Sequence, residues 1–184
     1  VGFYKSCRLV PYDNFHSYLN IPDTSARDSL FQAESRRCRD ILTSISESGP
    51  NKRHFCIFDE LYSGTNPIEA SKSEYAFMEY IRSHTNVDLL LTTHYSTICE
   101  KWEDETNTSI TNVKKIINKQ MEVQEIIDIS SNTTCHNTYK LIDGISKIEG
   151  AIKILEEMNY PTEMLDLFRS ADFTINTHKL DVTL

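Results

Sequence analysis

Two adjacent carboxylates, Asp59 and Glu60, follow directly on the apolar run Phe55-Cys56-Ile57-Phe58. Continuous apolar residues are what a fully buried strand of a parallel sheet requires. Ligands gather beyond the carboxyl ends of such strands, and neighbouring strand residues point to opposite faces. The two carboxylates are therefore expected to divide the work. Asp59 is placed to hold Mg²⁺ through its water shell, and Glu60 to orient or deprotonate an attacking water. A core strand ending in a solvated acidic turn is the plainer alternative for this segment. A buried strand running into paired carboxylates is the Walker B pattern of nucleotide hydrolases.

Three further constellations bear on the same chemistry. Leu91-Thr92-Thr93-His94-Tyr95 ends a second apolar run in a histidine. In a parallel sheet His94 falls at the same edge as Asp59 and Glu60, where a neutral imidazole can sense a γ-phosphate. A structural strand-end histidine is the alternative. Ser63-Gly64-Thr65-Asn66-Pro67 is a small turn after the carboxylates, and its glycine permits close backbone approach. An ordinary turn would read the same way. Ser29, at the head of a long helical pattern, either places a helix N-terminus toward phosphate oxygens or simply caps the helix.

The elements that must position these residues alternate along the chain. Phe3 to Val10 reads as a strand stopped by Pro11, and residues 13–21 as strand and loop. Phe31, Cys38, Ile41, Leu42 and Ile45 share one helical face that begins after Ser29 and stops at Gly49-Pro50. A helix from about Ile68 to His84 and a buried strand over Val87 to Thr93 follow. Residues from Trp102 to Thr111 read as polar loop, and 113–129 as either strand or helix. A strand is expected over Thr138 to Ile142. A capping box at Ser146-Lys147-Ile148-Glu149 opens a helix, and a last helix runs from Thr162 to Arg169. Strands alternating with helices predict α/β layering around a largely parallel sheet. From about residue 170 the tail is expected to be irregular.

Composition narrows the function classes. The 184 residues suit one domain, with 39% hydrophobic and 25% charged residues. A net charge of −8 argues against a surface that itself grips DNA phosphates. The basic cluster Arg36, Arg37 and Arg39 falls on a helix and reads equally well as its solvated face. No apolar run is long enough to span a membrane. Five cysteines without a C-x-x-C pair point to reduced, intracellular usage, nuclear or cytoplasmic. The chain opens on Val1, and a segment cut from something longer is expected.

In this order, the strings resemble the ATPase domain of the MutS family of DNA mismatch-repair proteins. They are Pro11-Tyr12-Asp13 with Phe15, Asp28-Ser29-Leu30-Phe31-Gln32-Ala33-Glu34, Phe58-Asp59-Glu60-Leu61-Tyr62-Ser63-Gly64-Thr65, Thr93-His94-Tyr95, and Tyr139-Lys140-Leu141 with Gly150 and Tyr160-Pro161. The Leu-Ser-Gly-Gly-Gln signature of general ABC-type ATPases is absent. The resemblance implies a P-loop-NTPase-like fold, with ATP and Mg²⁺ held between two such subunits in a homo- or heterodimer. Asp59 would help hold Mg²⁺, Glu60 would activate water, and His94 would be the switch histidine. Ser29 would reach the partner's γ-phosphate, with Gly64 and Thr65 in the dimer-facing loop. DNA would be held by domains outside this chain.

The sequence also departs from that family. Arg27 and Asp28 replace the small, glycine-containing stretch before the signature serine, and Asn66-Pro67 stiffens the loop after the carboxylates. No G-x-x-x-x-G-K-[ST] phosphate loop is present, and Gly49-Pro50-Asn51-Lys52 precedes a strand where a cradle would follow one. Residues 1–184 are therefore expected to be the part of an ATPase domain that carries signature loop, Walker B and switch histidine. Another ABC-like DNA-repair ATPase and a catalytically inactive dimerisation module are the alternatives.

Overall fold

A computed structural model of the chain describes residues 5–19, 29–106, 114–127, 133–148 and 150–171. They fall into two compact units, 1–145 and 146–184.

The first unit is built as β1 (Asn14–Tyr18), α1 (Leu30–Glu47), β2 (His54–Asp59), α2 (Pro67–Arg82), β3 (Val87–Thr92) and α3 (Ser96–Thr106), followed by the hairpin strands β4 (Lys119–Ile127) and β5 (Thr133–Asp143). Strands β1, β2 and β3 form one parallel sheet in that order. The register sets Phe58 beside Tyr18 and Leu91, and Asp59 beside Thr92. An α/β architecture with a parallel sheet flanked by helices is thus present as expected. Strands β4 and β5 pair antiparallel in a separate two-stranded sheet.

Local chemistry explains the helix boundaries. Ser29 is extended (φ −65°, ψ 154°) and accepts from the Gln32 amide, while the Gln32 side chain accepts from the Ser29 amide. This capping box is worth about 1 kcal/mol. Cys38, Ile41 and Ile45 then recur at helical spacing on the buried face. The helix ends at Ser48, and Gly49 turns the chain with φ +82°. Asn66 caps α2 and Pro67 occupies its first turn, where a missing N–H costs nothing. Glu69 in the first turn and Arg82 in the last match the helix dipole.

One face of the sheet carries the core. Tyr18, Cys56, Phe58 and Val87 pack with Ile41, Ile45, Phe77, Met78 and Ile81, and α3 adds Ile98 and Trp102. Phe58 meets Phe77 edge-on at 5.3 Å. Each large side chain buried this way contributes roughly 1.5–3 kcal/mol. The opposite face stays open, with Phe15, Ile57 and Leu90 exposed at 71%, 37% and 61%. The apolar runs predicted strands buried on both faces. Instead β2 alternates, because both crossover helices contribute to a single core on one side.

Other expectations are corrected as well. Residues 5–10 form no strand, and residues 1–4 lie outside the described residues. The stretch expected as loop from Trp102 continues α3 to Thr106. Ile98 and Trp102, one turn apart, are buried at 5% and 2% exposure, and this tertiary burial outweighs the polar residues around them. Within the ambiguous stretch, Lys119–Ile127 form strand β4, residues 113, 128 and 129 lie outside the described residues, and β5 runs longer than expected at both ends.

The second unit holds α4 (Gly150–Glu157) and α5 (Thr162–Ser170). The former starts four residues after Ser146, whose hydroxyl accepts from the Ile148 amide; Glu149 lies outside the described residues. Arg169 of α5 pairs with Glu156 of α4 and with Asp166. The tail from residue 172 also lies outside the described residues.

Candidate functional site

The parallel register brings the ends of β2 and β3 together. Asp59 stands beside Thr92, whose hydroxyl donates to Asp59 Oδ1. Pairing continues one residue further, since the Glu60 amide donates to the Thr92 carbonyl at 3.0 Å. At that point the backbone leaves the extended region. Glu60 has φ +50°, and Tyr62 follows with φ +61°. Such values are uncommon for residues other than glycine, cost roughly 1–3 kcal/mol each, and cluster at functional sites.

This kink, rather than strand alternation, separates the two carboxylates. Asp59 stays on the open face of the sheet with Ile57. Glu60 turns to His94, and its Oε1 lies 2.7 Å from His94 Nε2. Their side chains are 50% and 82% exposed. A pair this open to water adds at most about 1 kcal/mol of stability. Fold stability therefore does not account for holding it on a strained backbone.

The loop after the carboxylates docks on α1. Leu61 and Tyr62 are buried, the Tyr62 amide donates to the Tyr18 hydroxyl at 3.3 Å, and the Tyr62 ring packs on Phe31 at 5.7 Å. Gly64 presses on the first turn of α1, where a Cβ would lie 2.7 Å from the Phe31 backbone nitrogen. No larger residue fits without moving backbone. The Ser63 hydroxyl and Gly64 amide both donate to Glu34, at 3.0 and 3.1 Å. Thr65 turns its hydroxyl onto Glu69 at 2.9 Å.

The structure thus gathers Asp59, Glu60 and His94 at adjoining strand ends, and sets Gly64 on the helix turn that Ser29 caps. Ser29 is exposed, with its hydroxyl on the Gln32 amide at 3.3 Å. Its capping role is directly observed. Arg27 and Asp28 lie outside the described residues.

Among the described residues no group of three or more His, Cys, Asp or Glu side chains is arranged to hold a metal ion. Asp59 with the Thr92 hydroxyl is an oxygen donor set. It fits a Mg²⁺ that keeps most of its waters and takes the rest of its shell from phosphate. It does not fit a dedicated metal cage.

Three buried groups frame the site: Glu74, Tyr18 and Tyr62. Glu74 of α2 is fully buried, and neither carboxylate oxygen has a hydrogen bond of good geometry. Burial pushes its pKa up to about 7, opposed weakly by the nearby Thr93 hydroxyl. Burial likewise pushes the Tyr18 and Tyr62 hydroxyls up, with the Glu34 carboxylate adding to both. The sequence reading gave no role to Glu34, Glu74 or Thr92. The signal for Glu34 was present: it interrupts the apolar helical face between Phe31 and Cys38. Nothing comparable marked Glu74.

Comparison with known proteins bears on the family. Residues 4–174 match the family model described as MutS domain V. Endonuclease MutS2 of Fusobacterium nucleatum subsp. nucleatum is 27% identical over 142 residues. That alignment takes in 77% of this chain but 15% of the relative, so the chain spans about a seventh of the relative's length. No helix among the described residues is long and apolar enough to cross a membrane. With the family model covering nearly its whole length, the chain belongs to the MutS family and carries its domain V.

Proposed function

We propose that this chain supplies the Walker B, signature-loop and switch-histidine part of a P-loop-NTPase-like ATPase domain, in a protein that acts on DNA inside the cell. The observation that carries this reading is the 2.7 Å contact between Glu60 and His94, held on a strained backbone beside Asp59. Glu60 takes a proton from the water that attacks the γ-phosphorus of ATP. His94 holds the Glu60 carboxylate in place and lies at the edge the γ-phosphate approaches. Asp59, braced by Thr92, would hold Mg²⁺ through its water shell, and the ion would supply charge neutralisation for the phosphates. The phosphate cradle that this reading requires is not among residues 1–184.

Ser29, Gly64 and Thr65 face a second MutS-like subunit, so that each nucleotide is shared by two chains. The negative charge of this segment leaves DNA contact to other domains. Repair of mismatched DNA is the activity that best suits these parts, with hydrolysis resetting distant DNA-clamping domains.

The test uses the full-length protein. Glu60→Gln is expected to keep ATP binding while slowing hydrolysis by roughly 10²- to 10⁴-fold, the usual contribution of a positioned general base. Asp59→Asn is expected to weaken Mg²⁺-dependent nucleotide binding instead. Hydrolysis by Glu60→Gln at the wild-type rate would remove Glu60 from the mechanism.

A further inference from the structure

We propose that Glu34 is a positioning residue for this site: its buried carboxylate fixes the loop that presents Glu60. The proposal rests on the reading of Glu60 as the water-activating group.

Glu34 is 2% exposed and sits on the apolar face of α1. A carboxylate buried there is costly unless its oxygens find donors. Both do. Oε1 accepts from the Ser63 hydroxyl at 3.0 Å, and Oε2 accepts from the Gly64 amide at 3.1 Å. Both of these donors belong to the short loop that follows Asp59 and Glu60. One is a backbone N–H, so the grip is on the course of the chain and not only on a side chain.

That loop needs holding. It passes through the left-handed region at Glu60 and again at Tyr62, and each such residue persists only where its surroundings over-determine it. Three neighbouring residues supply the constraint. Tyr62 is held by the Tyr18 hydroxyl and the Phe31 ring, Ser63 by Glu34, and Gly64 by Glu34 and by van der Waals contact with the first turn of α1. Released at Ser63 and Gly64, the loop can relax and Glu60 can leave its ordinary reach of His94. Misplacing a reacting group by about 1 Å can cost on the order of 10²-fold in rate. Ser29 caps the same helix five residues before Glu34, and Gly64 packs on its first turn, so the loop and the head of α1 meet at this joint.

Glu34→Gln in the full-length protein keeps the volume but replaces one acceptor oxygen with a donor. The expected result is a kcat lowered about 10- to 100-fold, with affinity for a non-hydrolysable ATP analogue within about two-fold of wild type. Ser63→Ala, at an exposed position, removes one of the two bonds without threatening the fold. It should lower kcat by about three-fold or more, again without changing affinity. In the double variant the effect of Ser63→Ala should largely vanish, since the two residues act through one contact. If kcat is unchanged in both single variants while Glu60→Gln is slow, Glu34 plays no positioning part and the role of Glu60 stands. Kcat and affinity falling together, in step with the thermal midpoint, would mark a purely structural role and overturn the proposal. If Glu60→Gln is itself as fast as wild type, the underlying reading fails first.

Discussion

The two edges of the parallel sheet carry similar residues in opposite conditions. At the amino edge His54 is fully buried, and its ring stacks on His16 at 5.2 Å. The Ser48 hydroxyl donates to the Ile45 carbonyl, so it must accept from His54 Nε2–H; His54 Nδ1 then accepts from His16 Nε2–H. The chain of bonds is complete only while His54 is neutral, since its Nδ1 must accept. Asp13 there takes the Lys52 ammonium and the Arg53 amide, and Asp88 takes Tyr12, Arg53 and Lys114. At the carboxyl edge the backbone is strained, and Glu60 and His94 stand in water. Polar groups saturated by protein partners, with His54 buried among them, lock a scaffold. Exposed, strained ones leave bonding capacity for a ligand.

That contrast predicts different failures. His54→Ala should cost about 3 kcal/mol, because it opens a cavity and leaves His16 and Ser48 without their partner. For a chain of this size the thermal midpoint should drop by roughly 6–12 °C. Hydrolysis by the full-length protein, measured below the transition, should not change. Burial holds the His54 pKa below its ordinary value; Asp13 opposes the shift and His84 adds to it. The unfolded state therefore binds the proton first. This contribution to stability is complete above about pH 6.5 and declines as the pH falls below it. Urea titrations at pH 7.5 and 5.5 should show that decline in wild type and a weaker one in His54→Ala.

A smaller effect of opposite sign is expected at Glu74. Its pKa is raised from 4.5 to about 7, so between those values the native state keeps a proton that the unfolded state has lost. Stability should therefore fall as the pH rises from about 4.5 to about 7, then level off. Glu74→Gln should remove that slope and gain about 2 kcal/mol at pH 8, read from chemical denaturation. No gain at pH 8 would mean that the buried carboxylate has partners in solution.

The parts legible in the sequence are those governed by local rules. The Ser29 cap, the helical face through Cys38, Ile41 and Ile45, a helix starting within a residue of Ile68, and strands ending at Asp59 and within a residue of Thr93 all follow from spacing and capping chemistry. What escaped depends on tertiary context. The open sheet face was invisible because Phe15, Ile57 and Leu90 look like core residues by type, and nothing local says which face a helix will cover. Helix α3 was hidden because its buried residues Ile98 and Trp102 stand among polar neighbours. The separation of Asp59 from Glu60 was anticipated for the wrong reason: alternation predicted it, whereas a left-handed residue produces it. The grip of Glu34 on Gly64 joins residues 30 positions apart, and no local pattern encodes it.

The central claim is that Glu60 and His94 act as one unit at the carboxyl edge. A double-mutant cycle on single-turnover ATP hydrolysis by the full-length protein tests it most directly. Glu60→Gln and His94→Ala should each slow the chemical step with the thermal midpoint unchanged, and the double variant should be no slower than the slower single variant. Rate losses that simply multiply, or hydrolysis untouched by His94→Ala, would show that the 2.7 Å contact has no part in the chemistry.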